Sequence, residues 1–283
     1  MIVFKYLVEI HLFLSEKKAK GMTVGFIPTM GALHRGHISI IEKAKKETDL
    51  VVCSIFVNPT QFNNIEDLEK YPRDISKDTL LLEKSGCDVL FLPENDEMYP
   101  KGFKERISLN LGELGNILEG KFRPGHFDGV ATIVKKLFDI IQPDKAYFGE
   151  KDYQQLLVIK NLVDHFYNNI QIIPCPIIRE DDGLAISSRN QLLSSDERKA
   201  ASFIYGTLIK VKEQAPRQSI AALKEFVAIE FKRNAIFKLE YFEIADSRTI
   251  SPLTSWTESK EPIACIASFL GSVRLIDNMK LFS

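Results

Sequence analysis

Apolar and polar positions alternate in blocks along the first two thirds of the chain. Residues 23–27 form a short apolar run and predict a buried strand. Ile38, Ile40, Ile41 and Ala44 then recur at helical spacing and run into a lysine-rich turn. Residues 50–57 are the strongest strand of the sequence, 75–84 have the spacing of a helix, and 89–92 return to a strand-like run. Residues 130–141 predict a long helix that stops before Pro143. A strand at 145–148, a helix over 152–166 and a strand at 170–173 follow. Strands alternating with helices in this order predict an α/β protein, a Rossmann-like parallel sheet with helices on both faces.

The pattern changes after Arg179. Helical spacing over 196–214 and 219–233 is followed by three strand-like runs, 239–245, 263–270 and 273–279, which predict a smaller C-terminal α+β unit. The boundary falls near residues 175–182 and divides the chain into a Rossmann-like domain, 1–177, and a second domain, 178–283. Residues 1–14 are apolar, but Lys5, Glu9 and His11 interrupt them and no small-residue cleavage site follows. They are neither a signal peptide nor a membrane span. The spacing of Ile2, Val3, Tyr6, Leu7 and Ile10 predicts a helix packed on the body. No other apolar run is long enough to cross a bilayer, and a cytoplasmic protein is expected.

Composition narrows the class without changing it. Of 283 residues, 45% are hydrophobic and 27% charged, which excludes a disordered or fibrous chain. The 37 basic and 38 acidic residues nearly cancel, without the basic excess of a protein that grips nucleic acid. Cys53, Cys87, Cys175 and Cys265 lie far apart with no C-x-x-C pair, so they read as small buried hydrophobes rather than metal ligands.

In an open parallel sheet, ligands bind beyond the carboxyl ends of the strands. The segment after the first strong strand is Pro28-Thr-Met-Gly-Ala-Leu-His-Arg-Gly-His37. Gly31 and Gly36 permit a tight turn, and the helix that begins there offers free N–H groups to an anion. The Gly31-to-Gly36 spacing matches a phosphate loop, but His37 and Ile38 replace the lysine and hydroxyl residue that such a loop needs. No G-x-G-x-x-G is present. A metal-binding H-x-x-H pair lacks an evident third ligand, and two exposed histidines on a helix are the plain alternative. Further along, Gly183-Leu-Ala-Ile-Ser-Ser-Arg-Asn190 is by itself an ordinary polar loop.

Together and in this order, the two segments resemble the H-x-G-H and K-M-S-K-S signatures of the adenylyl-transferring α/β superfamily. Four further segments narrow the resemblance: Ile55-Phe-Val-Asn-Pro-Thr-Gln-Phe62, Tyr71-Pro-Arg73, Leu118-Glu-Gly-Lys-Phe-Arg-Pro-Gly-His-Phe-Asp-Gly-Val130 and Tyr147-Phe-Gly-Glu-Lys-Asp-Tyr-Gln-Gln155. The series is similar to the pantothenate synthetase (pantoate–β-alanine ligase) family from about residue 24 to 193, and resumes weakly at Leu275-Ile-Asp-Asn278.

The resemblance implies a two-step ligase. Pantoate attacks ATP to form pantoyl adenylate and pyrophosphate, and β-alanine then displaces AMP. It implies that His34 and His37 contact the phosphates, with Lys151, Ser187, Ser188 and Arg189 as further catalytic groups. Met30, Gly149, Asp152 and Ile186 complete the ATP site. Gln61, Gln155 and Met30 hold pantoate, Tyr71 and Arg73 shape the β-alanine side, and His126 belongs to the substrate side. Magnesium accompanies ATP, with no protein ligand singled out. The second domain acts as a lid over the phosphates, and the protein is a homodimer.

Two positions depart from the family. Ile186 stands where methionine is usual, and Arg35 replaces an acidic residue between the histidines. Two other readings share part of the pattern. Another H-x-G-H nucleotidyltransferase explains His34, His37 and Arg189 but not the segments at 58–62 and 149–155. A non-enzymatic nucleotide-binding regulator does not explain why the phosphate-contacting residues are all present.

Overall fold

The structure is a computed structural model that describes residues 1–62, 65–100, 107, 109–215 and 217–282. Six strands, β1 (Ile2–Phe4), β2 (Val24–Thr29), β3 (Leu50–Ile55), β4 (Val89–Phe91), β5 (Lys145–Gly149) and β6 (Gln171–Cys175), form one sheet in the order β1-β4-β3-β2-β5-β6. Every pairing is parallel. β3 is buried at all six positions, as its unbroken apolar run requires of a central parallel strand.

Alternate residues of each strand face opposite sides. Ile27, Val51 and Cys53 pack against Ile40, Ile41 and Ala44 of helix Arg35–Glu47 and Leu82 of helix Ile75–Lys84. On the other face Phe26 meets the ring of Phe138, from helix His126–Ile141, edge-on at 6.2 Å. Helices therefore cover both faces, as the alternation predicts.

The N-terminus corrects one expectation. Residues 2–4 are not the start of a helix; they pair in parallel with β4, and the helix begins at Leu7. Ile10 and Leu14 are the helix's buried residues, while Ile2, Val3, Tyr6, Val8 and Leu12 are exposed.

The chain divides into two compact units. The first comprises Met1–Leu111, Arg123–Glu150 and Val158–Pro176; the second comprises Gly112–Phe122, Lys151–Leu157 and Ile177–Ser283. The second unit carries an antiparallel sheet of β7 (Phe237–Asp246), β8 (Pro262–Leu270) and β9 (Val273–Lys280) in sequence order. Helices Phe203–Gln214 and Ile220–Arg233 share its core through Leu208, Val211, Leu223 and Val227. The helix expected over 196–214 is two helices, Ser195–Ala200 and Phe203–Gln214. Between them the Ile204 N–H bonds back only three residues, to the Ala201 carbonyl, and the α ladder is interrupted.

All four cysteines are buried free thiols. Burial pushes the Cys87 and Cys175 thiols up to about 11, and Cys53 and Cys265 well above the ordinary thiol range.

Candidate active site

β2 is where the sheet changes direction. The chain moves from it to β3 on one side and later returns to β5 on the other, so its carboxyl end is the switch point at which ligands bind in such sheets. The turn that leaves it is held from several directions. The Thr29 hydroxyl donates to the Ser54 carbonyl at 2.7 Å and accepts the Gly31 N–H at 3.2 Å. Gly31 has φ 80° and Ala32 φ 49°. The left-handed conformation at Ala32 costs about 1 kcal/mol for a residue with a Cβ.

Asp78, on helix Ile75–Lys84, offsets that cost. One of its oxygens accepts the Ala32 N–H at 2.8 Å and the other the Leu33 N–H at 2.7 Å. The side chain is buried, and burial holds its carboxyl above the usual range against the pull of those two bonds. An amide has only one acceptor oxygen. Asp78→Asn therefore leaves one buried N–H facing an NH2 group and lowers stability by about 1–3 kcal/mol in chemical denaturation. A loss within error of zero would show that Asp78 does not hold the turn.

The turn ends at His34, whose extended backbone (φ −146°, ψ 176°) is the N-cap of helix Arg35–Glu47. The His34 N–H donates to His37 Nδ1 at 3.3 Å, and the two imidazole rings lie 4.0 Å apart. Both histidines thus sit together at a helix N-terminus, where N–H groups and the helix dipole favour an anion. Gly36 makes room for them, since a Cβ there would lie 3.0 Å from the His34 ring.

The carboxyl end of β3 leads to Asn58 and Gln61, both buried. The Asn58 amide donates to Gln61 Oε1 and to the Gly129 carbonyl, each at 3.1 Å. Its own oxygen accepts the Tyr99 hydroxyl at 2.7 Å. Gln61 Nε2 lies 3.0 Å from Met30 Sδ, and His126 Nδ1 lies 2.8 Å from the Gln61 carbonyl. Met30, Gln61 and His126 are therefore one cluster. Gly129 lets the helix carrying His126 approach, because a Cβ there would sit 2.5 Å from the Thr60 carbonyl. Tyr71 is buried edge-on to Phe62 at 5.8 Å, whereas Arg73 donates to the Leu68 carbonyl at the surface. Gly149 closes β5.

In the second unit, Lys151 and Asp152 lie on a 3-10 turn, with Gln155 two residues into the helix that follows. Gln155 is half-buried. Its neighbour Gln154 is buried and structural, accepting the Glu119 N–H and donating to the Leu114 and Ile117 carbonyls. Ser187 caps a second 3-10 turn by accepting the Arg189 N–H at 3.3 Å, and Ile186 and Ser188 are buried.

Sequence reasoning missed Asp78, Asn58 as a hub, and Gln154. Only Asp78 left a signal: it shares the buried side of its helix with Leu82, an unusual place for a carboxylate. Among the described residues, no group of three His, Cys, Asp or Glu is placed to hold a metal ion, and no helix is long and apolar enough to cross a membrane.

A parallel α/β sheet with paired histidines on the strand-to-helix turn at its switch point defines a nucleotide-handling class of enzyme. Comparison with known proteins gives the family. The pantoate–β-alanine ligase family profile matches residues 2–280. The chain is 46% identical to the pantothenate synthetase of Aquifex aeolicus, over all of this chain and 99% of that one. Its structure is similar to that of pantothenate synthetase from Thermus thermophilus, with a TM-score of 0.93, 40% identity and full coverage of both chains. It is also similar to pantoate–β-alanine ligase from Francisella tularensis complexed with β,γ-ATP and β-alanine, with a TM-score of 0.81, 40% identity and coverage of 99% and 98%. The chain belongs to the pantoate–β-alanine ligase family. The match runs through the C-terminal third, beyond the span that the motifs cover.

Proposed function

We propose that this chain is an ATP-dependent ligase that joins pantoate to β-alanine, giving pantothenate, AMP and pyrophosphate. One observation carries the reading: in a chain of this family, the turn at the switch point brings the His34 and His37 rings to 4.0 Å at the start of a helix.

The chemistry follows from what a carboxylate lacks. It is a poor acyl donor until an oxygen carries a good leaving group. In the first step a pantoate carboxylate oxygen attacks the α-phosphorus of ATP, the bond to the bridging oxygen breaks, and pyrophosphate leaves. In the second, the β-alanine amine attacks the pantoyl carbonyl carbon. A C–N bond forms, the C–O bond to AMP breaks, and the amine proton passes to solvent. Neither step needs a covalent enzyme intermediate, so positioning and charge stabilisation do the catalysis.

His34 and His37 donate to phosphate oxygens as charge builds on them. Lys151 and Arg189 neutralise charge on the phosphates, and the Ser187 and Ser188 hydroxyls add hydrogen bonds. Gly149, Asp152, Met30 and Ile186 hold the nucleoside. Gln61 and Gln155 bind pantoate oxygens, since each amide offers a donor and an acceptor. Met30 packs on the methyl groups of pantoate, Tyr71 and Arg73 shape the β-alanine side, and His126 belongs to the substrate side. Residues 178–283 act as a lid. Magnesium arrives with ATP and is held mainly by phosphate oxygens and water. The exposed apolar positions Ile2, Val3, Tyr6, Val8 and Leu12 support assembly as a homodimer. A cytoplasmic setting fits a biosynthetic enzyme.

The test is exchange of labelled pyrophosphate into ATP without β-alanine. Exchange that requires pantoate is the expected result. Exchange indifferent to pantoate would favour another nucleotidyltransferase, and ATP binding without exchange would mark a regulator.

A further inference from the structure

Strand β9 breaks the alternation of its own burial pattern at Asp277 and Asn278, two adjacent polar residues that are both buried. Burying polar side chains is costly unless hydrogen bonds satisfy them, and apolar residues would fill the same strand without that cost. What these two bind accounts for their presence.

Asp277 meets Arg179 in a two-pronged ion pair, Oδ2 to Nη1 at 2.7 Å and Oδ1 to Nη2 at 2.9 Å. Its Oδ1 also accepts the Asn278 N–H at 2.8 Å. Arg179 is the first residue of a small hairpin. Its Nη1 donates to the Gly183 carbonyl at the hairpin's tip at 3.0 Å, and its guanidinium lies 4.5 Å from the centre of the Tyr205 ring. The hairpin closes through Glu180 N–H to the Leu184 carbonyl and Ile186 N–H to the Ile178 carbonyl. Its return arm runs directly into Ser187, Ser188 and Arg189. Gly183 is required at the tip, with φ +89° and the Tyr205 ring 1.9 Å from where a Cβ would stand. The next residue, Asn278, donates from Nδ2 to the backbone carbonyl of Lys151 at 3.0 Å.

Successive side chains of a strand point to opposite faces, so this dipeptide ties down two separate segments from one rigid element. We infer that Asp277 and Asn278 are positioning residues for nucleotide: together they fix the Lys151 turn and the Ser187–Arg189 turn at a set spacing. Neither touches ATP. The inference rests on the proposed roles of Lys151 and Arg189 toward its phosphates. Misplacing a charged group by an ångström can cost about a hundredfold in rate.

The experiment measures ATP binding by calorimetry, and separately pantoate-dependent pyrophosphate exchange. It compares wild type with Asn278→Ala, Arg179→Lys and Val227→Ala. Val227 is a core residue of helix Ile220–Arg233 and serves as the control for stability loss alone. The expected result is ATP binding weakened about tenfold or more in the first two variants, an unchanged KM for pantoate, and wild-type ATP affinity in Val227→Ala. Wild-type ATP affinity in a folded Asn278→Ala or Arg179→Lys protein overturns the inference. So does equal weakening in Val227→Ala. A wild-type protein that binds ATP but shows no exchange counts against the ligase reading instead, leaving the positioning role to be decided by the affinities.

Discussion

Replacing His34 with alanine is expected to slow pantoate-dependent pyrophosphate exchange by about a hundred- to thousandfold, the usual loss when one preorganised donor to a developing oxyanion is removed. His34 is the N-cap of helix Arg35–Glu47, where its ring forms one arm of a reciprocal capping box and its backbone N–H donates to the His37 ring. His34→Ala and His37→Ala should therefore each also lose about 1 kcal/mol of stability, the typical worth of a helix-capping bond. Exchange rates and melting curves on both variants check the pair. A His34→Ala rate within a few-fold of wild type would show that the ring does not meet the phosphates.

Replacing Arg274 with methionine should cost about 3–5 kcal/mol in denaturant unfolding, the range seen when one member of a buried ion network is deleted. Arg274, on β9, sends Nη1 and Nη2 to the Glu119 carboxylate at 2.9 and 2.7 Å and Nε to Glu240 at 2.9 Å. Tyr241 donates its hydroxyl to Glu119 at 2.7 Å. All three charged side chains are largely buried, so methionine strands two carboxylates with one phenol between them. Burial pushes that phenol well above its ordinary range, with the Glu119 charge adding to the effect, so it remains a donor. Burial also works against the Arg274 charge, but the bonds to Glu119 and Glu240 outweigh it and hold the guanidinium protonated. Replacing both glutamates as well should restore much of the loss. A single variant within about 1 kcal/mol of wild type would mean that water reaches the network. The network's purpose is local: Glu119 anchors segment Gly112–Phe122, and Phe122 stacks on the Tyr241 ring at 5.5 Å.

The parts legible in the sequence are those coded by near neighbours. Helix Ile75–Lys84 follows its own periodicity to the residue, and β3 its apolar run. The histidine turn is visible because two glycines and two histidines mark it within seven positions. Features made by distant partners are not. Residues 2–4 have helical spacing, yet the free edge of β4 draws them into the sheet, and no local signal announces a parallel partner. Asp78 reaches the turn across 45 residues of chain, and Arg274 meets Glu119 across 155. Such contacts exist only once the fold has brought both ends together. The polar pair Asp277-Asn278 lies between these cases: the sequence shows it, but only the buried strand makes it anomalous.

The placement of the four cysteines has a practical consequence. A thiol reacts with electrophiles as the thiolate, and here burial both shields each sulfur and keeps it protonated at neutral pH. The native chain is therefore close to silent toward maleimides. A cysteine introduced at an exposed position such as Lys199 should take up label alone. Fluorescent or spin probes can thus be placed one at a time, with no need first to strip the protein of its own cysteines.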